Sequence, residues 1–228
     1  MNRIHVLPLS SLLLSAGALL ALAAPPSFSP ATLISGSPPP IPIEAVGGGE
    51  VFLELGVTES GQVDRVTPLR VTPPFVEPLT AAVQAWLFKP ALDVPSTTPP
   101  SGSNPPARRP VRSSVLVAGV FRPPALFGPT LGTAPANVAQ PSDAIPGPLT
   151  TATPSYPPLA QGDGVVIVEV TVDATGAPTN ATVVTSSPAF DSAALDAARR
   201  WAFRPAQSHG TPVTGVVYLV FGFRQPVT

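Results

Sequence analysis

Alternating apolar and polar positions mark out two stretches of the chain, the clearer one in its second half. Val166, Val168, Val170 and Val172 alternate with Ile167, Glu169 and Thr171, the period of a β-strand with one strongly apolar face. Asp173, Ala174, Thr175 and Gly176 supply a turn in which glycine is free to take positive φ. Residues 179–185, rich in Val and Thr, predict the returning strand, and Ser186-Ser187-Pro188 ends it. The spacing then changes. Ala194, Leu195, Ala198 and Trp201 recur three and four residues apart, predicting a helix capped by Asp191, with Arg199 and Arg200 near its C-terminal end and Pro205 beyond. Gly215–Phe223 predicts a last strand that is apolar on both sides: Val217, Leu219, Phe221 and Phe223 on one, Val216, Tyr218 and Val220 on the other. The sum is a β-β-α-β unit with a short lead-in around Tyr156, about 75 residues and enough for a modest core.

The first half carries the same pattern. Shifting the sequence by 115 residues lays 49–91 on 164–206 without a gap, with 13 identities in 43 positions. These include Gly61/Gly176, Phe75/Phe190, Trp86/Trp201, Phe88/Phe203 and Pro90/Pro205, and so both tryptophans of the protein. Beyond Ala91 the shift becomes 102, pairing Phe121-Arg122 with Phe223-Arg224. The first copy therefore holds a 13-residue insertion near 93–107. Chance composition does not place Trp, Phe and Pro at one fixed shift; the chain is a duplication. In the first copy Pro78-Leu79-Thr80 stands where the second has Ala193-Ala194-Leu195, which predicts a helix starting at Pro78.

Composition decides what lies between the copies. Pro and Gly number 34 and 18 of 228 residues, far above the roughly 12% of an average protein, so stiff proline-rich segments are expected between compact units. The chain divides into a leader (1–23), a Pro/Ser-rich spacer (24–37), a first unit (38–124), a Pro-rich linker (125–151) and a second unit (152–228). Arg3 and a largely apolar run to Leu22, followed by Ala21-Leu22-Ala23, form an export leader that is either cleaved after Ala23 or kept as a membrane anchor. Either fate exports the rest of the chain.

Charge and candidate chemistry narrow the function. Lys and Arg number 12 and Asp and Glu 13, and Arg108, Arg109 and Arg112 form the densest cationic cluster, within a Pro-rich loop. A nucleic-acid partner is not expected, since phosphate binding needs more clustered cations. Without Cys there are no disulfides, thiolate metal sites or thiol nucleophiles. His5 and His209 make no metal cluster, Ser186 and Ser187 have no partnering base beyond a distant His209, and no glycine run continues into a phosphate loop. Glu54 and Glu169 share one repeat position and read as exposed carboxylates that discourage edge pairing rather than as an acid–base pair. Trp86 and Trp201 read as core anchors. No enzyme activity and no cofactor are expected.

The second copy resembles the TonB C-terminal family. The resemblance rests on an ordered set: Tyr156-Pro157, the strand at 165–172, Gly176, Ser186-Ser187, the Leu/Ala helix around Leu195, Trp201-Ala202-Phe203-Arg204-Pro205 and the closing strand at 216–223. The first copy is similar to a degenerate member, with Ile41-Pro42 for Tyr156-Pro157 and Val71-Thr72 for Ser186-Ser187. The resemblance implies an α+β fold of two tandem β-β-α-β domains, each a three-stranded antiparallel sheet with a packed helix. It also implies a role as a TonB-like energy transducer in outer-membrane transport, gripping an extended segment of a transporter by strand addition and contacting a proton-driven motor in the inner membrane. The third strand is expected at the sheet edge, which makes Val216, Val217, Tyr218, Leu219, Val220 and Phe221, with Tyr156 and Pro157, the expected partner-binding residues. The alternative is a soluble periplasmic adaptor in envelope assembly without a motor; a further reading is that the two copies pair with each other, or with a second molecule as a homodimer, through their open edges.

Overall fold

The computed structural model describes residues 28–43, 45, 47–93, 107–123, 130–133 and 142–226; the leader and the bulk of the insertion, 94–106, lie outside them. The first unit contains β1 (Gly49–Val57), β2 (Val63–Arg70), α1 (Val76–Gln84) and β3 (Ser113–Phe121), and the second contains β4 (Gly164–Val172), β5 (Pro178–Thr185), α2 (Asp191–Ala198) and β6 (Gly215–Phe223). The hairpins close at Gly61 (φ +83°) and Gly176 (φ +90°), where a Cβ would fall 1.8 Å and 2.0 Å from the carbonyl oxygens of Phe88 and Phe203. Only glycine fits there. Both helices start differently from the sequence expectation. α1 begins at Val76, so Pro78 sits in its first turn, where its missing N–H costs no intrahelical bond. Asp191 is the first residue of α2 and does not cap it; its carboxylate reaches back to accept the Ser187 N–H at 2.8 Å and the Ser186 hydroxyl at 2.6 Å.

Two separate three-stranded sheets are not what forms. The long strands make one six-stranded sheet in the order β5-β4-β6-β3-β1-β2. Every neighbouring pair is antiparallel except the central one, where β6 and β3 run parallel from Val217 opposite Leu116 to Gly222 opposite Phe121. Paired residues here differ by 101 in number, whereas repeat-equivalent residues differ by 102. Because side chains alternate faces, the odd difference puts equivalent residues on opposite faces of the sheet. The two units are thus related by a pseudo-twofold axis lying along the strands.

That symmetry explains why β3 and β6 are apolar on both sides. α1 packs through Leu79 and Val83, with Phe75 just before it, on one face, together with Leu53, Leu55, Val115 and Val117. α2 packs through Ala194 and Ala197, with Phe190 just before it, on the other, with Val168, Val170, Val217 and Leu219. Each central strand lends its second face to the other unit's core: Tyr218 and Val220 to the first, Leu116 and Ala118 to the second. Aromatic rings fasten the exchange. Tyr218 meets Trp86 and Phe88 edge-on at 6.0 Å and 5.7 Å, and Phe52 of β1 meets Trp201 at 6.0 Å.

The segments expected to be spacers belong in part to the fold. Phe28–Ser29 pairs with Ala91–Asp93, and Thr32–Ser35 pairs with Leu87–Lys89. In the second unit Gly147–Thr153 pairs with Ala202–Arg204 and with Thr130–Thr133. The indole N–H of Trp86 donates to the Ser37 carbonyl at 3.0 Å and that of Trp201 to the Ala152 carbonyl at 3.2 Å, the same repeat position in each unit. A buried indole needs an acceptor, and the lead-in strand supplies it. The insertion leaves from a hairpin between Ala91–Asp93 and Arg109–Val111, which corresponds to the short hairpin Ala206–Ser208/Thr211–Val213 closed by His209 (φ +51°) and Gly210.

Because each core contains the other unit's side chains, the two halves should unfold together. Phe52→Ala, which empties a site against Trp201, should lower stability by about 3–5 kcal/mol. In a Trp86→Phe chain read through Trp201, and a Trp201→Phe chain read through Trp86, denaturation midpoints should coincide. Two separated transitions would disprove the interlock.

Candidate functional site

The residues expected to bind a partner are buried, except for the half-buried Pro157. Every residue of β6 is buried, and its two backbone edges are taken by β4 and β3. Val216, Val217, Tyr218, Leu219, Val220 and Phe221 therefore present no free ladder, which corrects the expectation of an edge strand at this position. The physical reason is the strand's second apolar face: exposed at an edge it would sit in water, and pairing with β3 places it over the first unit's core. Tyr156 is a core residue too. Its ring meets Phe190 edge-on at 5.5 Å and its hydroxyl donates to the Gly162 carbonyl at 2.8 Å. Burial, aided by the Asp163 charge, pushes its phenol above the ordinary value. The Pro157 carbonyl accepts the Ala160 N–H at 3.1 Å and closes the turn below it.

The two repeat-equivalent carboxylates are structural, and neither stands exposed at an edge. Tyr218 donates its hydroxyl to Glu169 Oε2 at 2.7 Å and accepts the Leu33 N–H at 2.6 Å, so one phenol joins β6, β4 and the first lead-in strand. Burial and then Glu169 drive that phenol far above its usual range, keeping it protonated. Glu54 is buried and accepts the Ser142 N–H at 3.0 Å and the Ser142 hydroxyl at 2.6 Å. Burial alone would raise its pKa, but these bonds, with Ser114 and Arg65, outweigh it and hold the carboxyl below the ordinary value.

Two further residues were not singled out from sequence, although the repeat contains them. Arg122 and Arg224 each follow a closing strand and each reach into the opposite unit. Arg122 donates to the Pro154 carbonyl, while Arg224 donates to the carbonyls of Ala45 and, at 3.3 Å, Ile43. Continuing the 115-residue shift upstream pairs Pro39/Pro154, Pro42/Pro157, Ala45/Ala160 and Gly47/Gly162, a signal that marks both lead-ins as part of the repeat.

With the centre closed, β2 and β5 form the rims of the sheet, and no other described strand pairs with their outer sides. An edge strand turns the N–H and C=O of alternate residues outward, which is what an added strand needs. Both rims are bracketed by register shifts, leaving four regular positions: 65–68 on β2, opposite Leu53 to Gly56, and 180–183 on β5, opposite Val168 to Thr171. These are equivalent positions in the repeat. On β2 they read Arg65, Val66, Thr67, Pro68; on β5 they read Asn180, Ala181, Thr182, Val183. Around the β2 window, Asp64 is held by Arg112 and Arg70 pairs with Glu50 at 3.2 Å. β5 has no charged residue.

Residues 152–224 match the family model described as Gram-negative bacterial TonB protein C-terminal. The second unit is a TonB C-terminal domain; the first lies outside the match. No curated protein matches the chain. None of the helices among the described residues is long and apolar enough to cross a membrane.

The Glu54 contact makes a pH prediction. Its folded-state pKa is lowered, so its contribution is fully present above the unfolded value of about 4.3 and is lost as pH falls through the folded value. Ser142→Ala should cost about 1.5–3 kcal/mol at neutral pH and move the acid-unfolding midpoint to higher pH. Glu54→Gln should flatten the dependence over that window. Thermal unfolding followed from neutral to acid pH checks both, and an unchanged acid limb in Glu54→Gln would show that another group controls it.

Proposed function

We propose that this chain, whose residues 152–224 form a TonB C-terminal domain, is a TonB-like envelope protein that docks an extended segment of an outer-membrane transporter and takes part in energy-coupled transport across the outer membrane. The role is one of binding, not catalysis. The observation that carries the reading is the family match over residues 152–224, with its motif set folded in place: Tyr156 in the core, Gly176 in its turn, the Ser186-Ser187 corner tied to Asp191, and Trp201 on its carbonyl. An exposed strand on that unit supplies the physical means. Main-chain hydrogen bonds to an added strand give affinity, and alternate side chains give selection.

The capture site differs in place from the sequence expectation. Strand addition at β6 would require breaking its parallel ladder with β3 and exposing two apolar faces, so docking takes place at an outer rim of the six-stranded sheet. A leader retained as an anchor would tie the domain to the inner membrane and its motor; a cleaved leader would leave a periplasmic adaptor.

Peptides covering the periplasm-facing extended segments of outer-membrane transporters from the same bacterium, titrated into the chain lacking its leader, should include binders that protect rim amides from hydrogen exchange and leave the already buried β6 unchanged. Crosslinking in cells should recover the same transporter. Loss of transport when the proton gradient is collapsed, with crosslinking retained, is the outcome expected for energy coupling. Binding with no influence on transport would favour the adaptor, and no binding to any transporter segment would refute the docking reading.

A further inference from the structure

The two rims are built on one plan and differ where strand addition is most sensitive. In the regular window the first unit has Arg65 where the second has Asn180, and Pro68 where the second has Val183. Proline has no N–H to give to an incoming strand, and a charged side chain on an edge opposes pairing. The β2 rim is therefore blocked at both ends of its window. The β5 rim has no proline in its window, so every N–H that faces outward there is kept, and it is free of charge.

The surroundings of β5 favour the same kind of occupant. Thr182 lies opposite Glu169, itself opposite Tyr218, so its side chain shares the face that the lead-in strand crosses. Leu33 on that strand is bonded to the Tyr218 hydroxyl, and the Gly36 carbonyl accepts the Thr185 hydroxyl at 3.4 Å. Beside this junction Ile34 is 63% and Val184 40% exposed. Val184 sits at the register shift between Ile167 and Val168. Glu169, the carboxylate opposite Thr182, is already engaged by Tyr218. An uncharged edge with aliphatic side chains at one end rewards neutral, β-branched residues and penalises the desolvation of charged ones.

We infer that Asn180–Val183 is a docking edge for a short, uncharged, β-branched extended segment of a partner, and that the β2 rim does not take one. The inference rests on the docking reading above and adds to it the place, the size and the chemistry of the segment. Its length follows from the register shifts: four regular positions accommodate an added strand of about five residues before the edge bends away.

The probe is a fluorescently labelled peptide of about eight residues alternating threonine and valine, with a counterpart carrying glutamate at every second position, titrated into the chain lacking its leader. The neutral peptide should bind with one site per chain, and the glutamate peptide roughly tenfold or more weaker. Asn180→Arg, an exposed substitution that copies the first unit, should weaken binding by a similar factor, and Val183→Pro should abolish it. The reverse graft, Arg65→Asn with Pro68→Val, should open the other rim and raise the stoichiometry from one to two. Should Val183→Pro fail to fold, Asn180→Arg and the reverse graft still decide. Undiminished binding to Asn180→Arg, or a reverse graft that stays at one site, would overturn the assignment. A transporter segment that binds wild type and Asn180→Arg equally would overturn the rim while leaving the docking reading intact. A chain dimer seen by sedimentation and dispersed by Asn180→Arg would give the edge to a second copy and overturn the partner assignment.

Discussion

The parallel pairing of β3 with β6 is the contact on which the rest of the molecule depends. Each strand ends its own β-β-α-β unit, and each would be an edge if that unit stood alone. Each also has a second row of aliphatic and aromatic side chains that its own helix does not reach. Joining the two strands satisfies both backbone ladders and lays each second row over the opposite core, so one contact answers two demands. The opposite placement of α1 and α2, the edge-on contacts of Tyr218 and Phe52, and the crossed reach of Arg122 and Arg224 follow from it.

This arrangement changes what a TonB C-terminal domain can offer a partner. The strand that would be the open one in a single unit is occupied by its own relative, in a register continuous over six residue pairs. What remains exposed is the hairpin strand on each flank. Those flanks have diverged: proline and arginine guard one, while asparagine, alanine, threonine and valine line the other. The duplication thus produces a larger core and an asymmetric pair of rims from two similar sequences.

Much of the fold was legible from the residues. The period-two run at Val166–Val172, the glycine turns, the two tryptophans at one fixed shift and the proline after each of them identify the units and their element order. The joining of the units was also written in the chain, since Gly215–Phe223 and Ser113–Phe121 are apolar on both sides, the mark of a strand covered on two faces. Periodicity describes one strand at a time, however, and does not say which neighbour covers the second face. The lead-ins were hidden for a different reason. Their strands are set in proline-rich segments and show no clear alternation, because what holds them is a carbonyl under a tryptophan. Glu54 and Glu169 looked solvent-facing because a carboxylate on a strand usually is; Ser142 and Tyr218 reach them from distant parts of the chain. The expected docking strand failed on the same ground, a long-range partner that no local pattern names.

The crossed architecture also sets a timetable. A ribosome delivers β3 more than ninety residues before β6, and until β6 arrives the first half has no cover for Leu116, Ala118 and Val120. The early half therefore cannot settle while it waits, and the final cooperative step belongs to the completed chain. Any factor that keeps exposed hydrophobic strands apart during that interval acts on this half first.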